Sequence, residues 1–299
     1  MLWDSIVIGG SFAGLSAALQ LARGLRSVLL FDSDAPRNRF ATHTHGFFGA
    51  DGADIVELRS KALQQLTTYQ TVQTRKSIVV SAQRQDNGPF SIADEQGHQF
   101  ECRTLIIATG VVDSLPAIEG LTQRWGKSVI HCPYCHGYEF RHKPIAVIAT
   151  GEASIHQAAI LPDWGPVTYF SQGSFKPDAE QESLLKRRGV LIENTAVVAI
   201  EGNNSDVSHI LLMDGRRLSA EVVYVVPKTT FSHNLVQELG CELDLGVTGA
   251  FIKTDAMQLS SVSGLFAAGD IASPMHNGML AAASGVRAGV AAHRYLMFG

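Results

Sequence analysis

Apolar runs alternate with amphipathic stretches along the chain, beginning close to its N-terminus. Residues 5–8 (SIVI) form a short apolar run, residues 15–23 carry apolar side chains at helical spacing, and residues 27–32 (SVLLFD) form a second apolar run. Short apolar runs predict buried strands, whereas an apolar residue at every third or fourth position predicts a helix. The N-terminal segment is therefore predicted to be a strand–helix–strand unit of a parallel sheet.

The same alternation recurs further along the chain. Residues 102–110 read as an apolar strand that ends in Ala-Thr-Gly at Gly110. Residues 264–296 begin with a strand, continue through Gly269 and Asp270, and end in a long helical pattern. Repeated units of this kind predict an α/β fold with parallel sheets.

A further strand–helix–strand unit occupies the middle of the chain. The apolar runs at 145–149 and 166–170 flank a helical stretch that Pro162 stops. We predict two Rossmann-like dinucleotide-binding domains, with residues 113–231 inserted into a first domain built from residues 1–112 and 232–299.

The turn of the N-terminal unit carries the residues of a dinucleotide site. Gly9, Gly10 and Gly14 follow the first strand, with Ser11 at the middle glycine position of G-x-G-x-x-G, and Asp32 ends the second strand. Glycines allow a tight turn and a close approach of the backbone to a pyrophosphate, and an acid about 20 residues on can accept hydrogen bonds from a ribose. The turn therefore predicts a bound dinucleotide rather than glycines that serve geometry alone.

Composition and charge exclude several classes of function. The 299 residues include 24 Lys+Arg and 28 Asp+Glu, a formal charge of −4, which argues against nucleic-acid binding through a basic surface. The first residues lack the basic start of a signal peptide, and no apolar run reaches the length of a membrane span. Only four cysteines occur, which favours a reducing cytoplasm over a secreted disulfide scaffold.

The segment HCPYCHGYE (131–139) places Cys132 and Cys135 two residues apart. Such a pair can be half of a zinc site, two buried thiols, or a redox-active disulfide. Structural zinc needs four ligands, and Cys102 and Cys241 each stand alone. Redox chemistry suits the spacing, because one thiolate can attack a target while the other resolves the mixed disulfide.

Taken together, GGSFAG near the N-terminus, ATG in the middle, GLFAAGD near the C-terminus and the intervening Cys-x-x-Cys resemble the low-molecular-weight thioredoxin reductases, which are FAD-dependent disulfide oxidoreductases. The resemblance covers essentially the whole chain. It implies a thioredoxin-like dithiol protein as partner and a homodimer. It also implies that residues 41–52 form a loop near the flavin.

The resemblance further implies a set of FAD-binding residues. Asp32 would hold the adenosine ribose and Asp270 the ribityl chain. Backbone amides near Met279 would face the pyrimidine edge of the flavin. The residues expected at the FAD site are Gly9, Gly10, Ser11, Gly14, Asp32, Gly110, Gly269, Asp270, Asn277, Gly278 and Met279.

For the cysteine pair, the resemblance implies that Cys135 lies on the flavin side and that Cys132 attacks the substrate. The family usually has an aspartate after the second cysteine, where this chain has His136. A histidine can make the same proton transfer with a pKa nearer neutrality, so His136 is the expected proton donor.

The second dinucleotide unit departs from the family pattern. Its glycine motif reads Ala149, Gly151 and Ser154, and the stretch that holds the 2′-phosphate of NADPH in the family reads Ser-Gln-Gly at 171–173. Arginine is the usual bidentate grip for phosphate, and Lys176 is a weaker substitute. These losses predict that NADPH is a poor donor, and a ferredoxin-type protein is the expected replacement.

Two alternatives to a disulfide reductase stay open. A dithiol oxidase would run the same relay backwards, taking electrons from a small dithiol and giving them to oxygen without any NADPH. A flavin-binding redox sensor would bind FAD and turn over neither dithiols nor disulfides.

Overall fold

A computed structural model describes residues 1–84 and 88–299. It divides the chain into two compact units, the first made of Met1–Thr42, Phe47–Val112 and Thr229–Gly299, and the second of His43–Gly46 and Asp113–Lys228. The predicted α/β fold is confirmed. The assignment of FAD to one domain and an NAD(P)H-like site to the other stays a prediction. No helix in the described ranges is long and apolar enough to cross a membrane.

Strands outnumber helices in both units. The helices are α1 (Phe12–Arg23), α2 (Ile55–Thr67), α3 (Pro133–His136), α4 (Ala153–Ile160), α5 (Ala179–Arg187), α6 (Leu235–Glu238) and α7 (Gly278–Phe298). The strands are β1 (Leu2–Ile8), β2 (Val28–Asp32), β3 (His43–Thr44), β4 (Ala53–Asp54), β5 (Val72–Lys76), β6 (Val79–Arg84), β7 (Phe90–Asp94), β8 (Gln99–Ile107), β9 (Val112–Ser114), β10 (Val129–Ile130), β11 (Ile145–Ile148), β12 (Val167–Phe170), β13 (Leu191–Glu193), β14 (Val197–Glu201), β15 (His209–Leu212), β16 (Arg217–Ser219), β17 (Val222–Val225), β18 (Lys228–Thr230), β19 (Leu243–Leu245), β20 (Ala250–Ile252) and β21 (Leu265–Ala267). Short 3₁₀ helices cover Arg37–Phe40, Thr122–Arg124, Leu161–Asp163 and Asp270–Ala272.

The first unit is built on a sheet in the order β5-β2-β1-β8-β7-β6, with β21 also paired to β8. Strands β1, β2, β5, β8 and β21 run parallel, whereas β6 and β7 add an antiparallel edge. The parallel strands read as continuous apolar runs because both faces of the sheet are covered. Buried alanines of α1 and α7, among them Ala17 and Ala288, pack in one core cluster and let the two helices approach closely.

The second unit holds a parallel sheet in the order β10-β17-β11-β12-β13 and a three-stranded antiparallel sheet, β14-β15-β16. Strand β11 pairs with β12 and β17 over its whole length, so the predicted strand–helix–strand unit is present around α4. Two buried clusters lie within this unit, one around Phe170 and one around Tyr169. Each unit therefore has a core of its own.

Candidate active site

The first dinucleotide turn joins β1 to α1 and has no room for a side chain at two of its glycines. Gly9 has φ of +114°, and a Cβ there would lie 2.2 Å from the Ala108 carbonyl oxygen. A Cβ on Gly14 would lie 1.7 Å from the Gly9 oxygen. Ser11 is the N-cap of α1, yet its hydroxyl makes no capping hydrogen bond. The helix start therefore keeps backbone donors for an anion, which fits the pyrophosphate of a dinucleotide.

Asp32 lies at the end of β2 beside this turn and has an arginine partner. Arg59, on α2, donates from Nη2 to Asp32, from Nη1 to Asp34 Oδ1 at 2.8 Å, and from Nε to the Gly10 oxygen at 3.0 Å. Hydrogen bonds from Lys76 and Arg59 lower the pKa of Asp34 to about 2. Arg59 ties the predicted ribose acid to the predicted phosphate turn. No motif in the sequence signalled it, because it lies on a separate amphipathic helix.

Asp270 follows Gly269 at the end of β21 and also has a cation partner. Its Oδ2 accepts a hydrogen bond from Arg37 Nη1 at 2.8 Å, and both side chains are mostly buried. Gly110 lies just beyond β8 with φ of +65°. The strands that end at these positions, β8 and β21, are neighbours in the sheet. Their predicted ligand-binding ends therefore lie at one edge of the first unit.

Asn277 caps the start of α7. Asn277 Oδ1 accepts hydrogen bonds from the Met279 amide at 2.8 Å and from the Leu280 amide at 3.3 Å. The Phe12 and Phe47 rings stand 5.1 Å apart and both lie near Gly278. The Met279 amide predicted to face the flavin therefore already has an intramolecular partner, and Gly278 lies beside two aromatic rings.

The cysteine pair of the second unit is a disulfide between Cys132 and Cys135. Cys132 is the N-cap of α3, and its sulfur accepts a hydrogen bond from the Cys135 amide at 3.1 Å. Pro133 occupies the first turn of this short helix. The pair is therefore in its oxidised form, and Cys135 lies within the single turn of α3.

Two ionisable residues accompany His136 at the end of α3. Burial lowers the pKa of His136, the charge of Glu139 raises it, and the charge of His45 lowers it further. His45 Nε2 lies 3.6 Å from Glu139 Oε1. Sequence reasoning identified His136 but missed the other two. His45 belongs to the 41–52 segment that was expected near the flavin, and the structure places it in the unit of the cysteines.

Residues next to the cysteines make aromatic contacts. Tyr134, between the cysteines, is 75% exposed, and its ring stands edge-on to Trp164 at 5.6 Å. His131 stacks on Trp125 at 5.6 Å, and its carbonyl accepts a hydrogen bond from Gln157 Nε2 at 2.7 Å. A hydrogen bond from α4 therefore holds the backbone next to Cys132, and the Tyr134 side chain is exposed to solvent.

Polar side chains around the second dinucleotide turn make hydrogen bonds within the protein. Ala149 is buried, and the Ser154 hydroxyl accepts a hydrogen bond from the Thr150 amide at 3.1 Å. At the end of β12, Ser171 donates to Asn194 Oδ1 at 2.8 Å, and Gln172 accepts from the Val197 amide at 2.7 Å. Polar groups at the positions where the family holds a phosphate are thus engaged within the protein.

The described ranges, 1–84 and 88–299, contain no group of three or more His, Cys, Asp or Glu residues that could hold a metal ion. The free cysteines are Cys102, which is buried, and the partly buried Cys241. Burial raises the pKa of both thiols, that of Cys241 to about 11, so neither favours a reactive thiolate.

Comparison with known proteins gives a consistent result over the full chain. Residues 3–289 match the pyridine nucleotide-disulphide oxidoreductase family. Thioredoxin reductase tcpT of Claviceps purpurea is 31% identical over 98% of this chain and 94% of its own length, and thioredoxin reductase of Helicobacter pylori is 25% identical over 90% of both. The crystal structure of an oxidoreductase from Agrobacterium tumefaciens is 42% identical, with a TM-score of 0.95 over 100% of this chain and 99% of that one.

Fold, disulfide and relatives agree on one class of enzyme. The family is FAD-dependent, and the glycine turn of the first unit fits such a cofactor. The chain belongs to the pyridine nucleotide-disulphide oxidoreductase family, as a thioredoxin reductase-like flavoprotein oxidoreductase.

Proposed function

We propose that the protein reduces the disulfide of a thioredoxin-like partner through Cys132 and Cys135. The observation that carries this proposal is the disulfide itself, because it occupies the Cys-x-x-Cys on α3 in a member of a disulfide oxidoreductase family. FAD, when bound, would supply electrons in pairs. The residues that would hold it are those of the 9–14 turn together with Asp32 and Asp270.

The exchange with the partner balances without any further reactant. After the pair is reduced, the Cys132 thiolate attacks one sulfur of the partner's disulfide and the other partner sulfur leaves as a thiolate. Cys135 then attacks the Cys132 sulfur of the mixed disulfide, which releases the second partner thiolate and re-forms the Cys132–Cys135 bond. Two electrons and two protons reach the partner in total, and His136 is the proposed proton donor.

Substitution of each cysteine tests this exchange. Cys132→Ser and Cys135→Ser should each abolish reduction of oxidised thioredoxin while leaving FAD bound. Cys241→Ser is the matched control, since its thiol lies in the other unit and should leave turnover unchanged. Full activity in Cys135→Ser would refute the relay.

We further propose that NADPH is a poor donor and that a ferredoxin-type protein replaces it. This is supported by the buried Ala149, by the Ser154–Thr150 hydrogen bond and by the internal partners of Ser171 and Gln172. Each missing charge-assisted contact to a phosphate costs about 1.5–3 kcal/mol, so two together weaken binding by roughly a hundredfold or more. Stopped-flow mixing with NADPH, NADH and reduced ferredoxin compares the donors. Rapid flavin reduction by micromolar NADPH would overturn this part.

The same departures of the second nucleotide turn from the family motif also support a second function, a dithiol oxidase. That enzyme would convert a small dithiol and oxygen into a disulfide and hydrogen peroxide, and it would need no nucleotide. Dithiol-dependent oxygen uptake with equimolar peroxide, lost in Cys132→Ser, would favour it over the reductase. A protein that retains FAD and turns over neither a dithiol nor a disulfide would instead be a redox sensor.

Two expectations from the family complete the proposal. We expect a homodimer and a cytoplasmic location. Sedimentation analysis of the FAD-loaded protein measures the first, and a monomer at micromolar concentration would contradict it.

A further inference from the structure

One arginine, Arg59, joins the glycine turn of the first unit to the acid at the end of β2. Its side chain is 16% exposed and reaches the turn from α2, in the same unit. Nε donates to the Gly10 carbonyl oxygen at 3.0 Å, Nη1 donates to Asp34 Oδ1 at 2.8 Å, and Nη2 donates to Asp32 Oδ2. A guanidinium holds its donors in a rigid planar fork, so these contacts fix the turn and the acid relative to each other.

The Asp32 carboxylate lies directly against the turn. A Cβ on Gly10 would lie 2.6 Å from Asp32 Oδ2, so the glycine lets the carboxylate approach the backbone closely. Asp32 Oδ1 accepts a hydrogen bond from the Asp34 amide at 3.0 Å, and Oδ2 accepts from Arg59. A carboxylate can accept about four hydrogen bonds, so acceptor positions are left for hydroxyl groups of a ligand. Asp32 is therefore held in one orientation and can still accept.

The charges around Asp32 balance. Asp34 has φ of +60°, and its Oδ2 accepts a hydrogen bond from Lys76 Nζ at 2.8 Å. Arg59 and Lys76 thus offset the charges of the two carboxylates. A dinucleotide brings a negatively charged pyrophosphate to the neighbouring turn, and an uncompensated acid would repel it. Arg59 therefore allows an acid and a pyrophosphate to lie side by side.

We propose that Arg59 is a positioning residue of the FAD site, which fixes the Asp32 carboxylate and thereby sets the preference for an adenosine that carries its ribose hydroxyl. This deepens the proposed function, because it rests on the 9–14 turn and Asp32 as the place where FAD binds. An acid at this position of the motif accepts a hydrogen bond from the ribose 2′-hydroxyl. A carboxylate that is already oriented loses less conformational freedom on binding than one that must first be ordered.

Competition between FAD and its 2′-deoxyadenosine analogue tests the inference. The full-length, FAD-loaded protein is equilibrated with mixtures of the two flavins, and the bound fraction of each is measured by chromatography after gel filtration. The bound ratio, corrected for the composition of the mixture, gives the ratio of the two dissociation constants. We expect the wild type to favour FAD by roughly tenfold to a hundredfold, as for one hydrogen bond to a charged group.

Arg59→Gln and Asp32→Ala should each bring this ratio close to one. A general loss of stability weakens the binding of both flavins alike and cancels in the ratio. Arg59→Lys keeps the positive charge without the planar fork, so it should retain FAD and still lose most of the preference.

Arg75→Gln is the matched control. Arg75 Nε donates to Asp94 Oδ2 at 2.8 Å, which is another arginine–aspartate pair of the first unit, but its acid lies outside the proposed FAD site. This variant should keep the wild-type ratio even where it lowers stability.

A wild-type ratio in either Arg59 variant would overturn the proposal, whatever the effect on affinity. A wild-type protein that binds both flavins equally would overturn it as well, and would remove Asp32 from the proposed FAD site. The disulfide exchange is tested separately by the cysteine variants. If Cys132→Ser retains turnover while the Arg59 variants lose the preference, the exchange is wrong and the role of Arg59 stands.

Discussion

At the scale of single residues, the two glycine turns differ in the space around their glycines. A Cβ on Gly14 would lie 1.7 Å from a backbone oxygen, whereas a Cβ on Gly151 meets nothing within 4 Å. We expect Gly14→Ala to lower the free energy of unfolding of the first unit by about 1–3 kcal/mol or more and to release FAD. Gly151→Ala is the control and should change neither quantity. Urea unfolding and the FAD absorbance after gel filtration measure both; unchanged stability and full FAD retention in Gly14→Ala would contradict the close contact between Gly14 and Gly9.

Short motifs predicted Gly9, Gly14, Cys132 and Cys135 from the sequence, because the backbone geometry and the chemistry are local. No motif indicated Arg59, since it reaches the 9–14 turn from a separate helix. Contacts between charged side chains that are distant in sequence leave no periodic pattern from which they could be predicted.

Asp94 predicts how stability depends on acid. Burial raises the pKa of this carboxyl, but hydrogen bonds from the His98 amide and from Arg75 outweigh it and hold the pKa at about 2. An unfolded aspartate has a pKa of about 3.9, so the stabilisation is present above pH 4 and is lost as the pH falls towards 2.

We therefore expect Asp94→Asn to lower Tm at pH 7 and to flatten the fall of Tm between pH 4 and pH 2. Asp244→Asn, an exposed acid on β19, serves as the control. A Tm profile that is as steep in Asp94→Asn as in the wild type would show that other carboxylates carry the acid sensitivity.

At the scale of elements, the parallel strands were predictable and the antiparallel ones were not. β2, β11 and β12 are short apolar runs within two residues of their predicted bounds, because burial on both faces leaves a continuous apolar signal. The sheet β14-β15-β16 alternates exposed and buried residues over four or five positions, too short to stand out from loops.

Helix α7 gives a prediction about its first turn. Because Asn277 accepts hydrogen bonds from two amides of that turn, Asn277→Ala should lower the free energy of unfolding by about 1 kcal/mol, and Asn277→Asp should retain most of it. Urea unfolding of FAD-free protein isolates this effect from any contact with the flavin. Equal stability of the alanine and aspartate variants would rule out the cap as a source of stability.

At the scale of the whole molecule, each unit has its own buried core. The proposed FAD-binding residues all lie in the first unit, so FAD should stabilise that unit alone by mass action. We expect calorimetry of FAD-free protein to show two overlapping transitions, of which added FAD shifts one upward. A single transition that moves as a whole with FAD would mean that the two cores unfold together.

The first unit is assembled from both ends of the chain, and this sets an order of events during synthesis. All of Asp113–Lys228 leaves the ribosome before β21 and α7 are synthesised. The second unit can therefore complete its core before β21 pairs with β8. Asp270 and Asn277, two of the proposed FAD-binding residues, are synthesised after all of Asp113–Lys228. A nascent chain therefore completes the Cys132–Cys135 segment before its proposed flavin site exists. A chain truncated after residue 228 and before α7 would carry the two cysteines without the residues proposed to hold FAD.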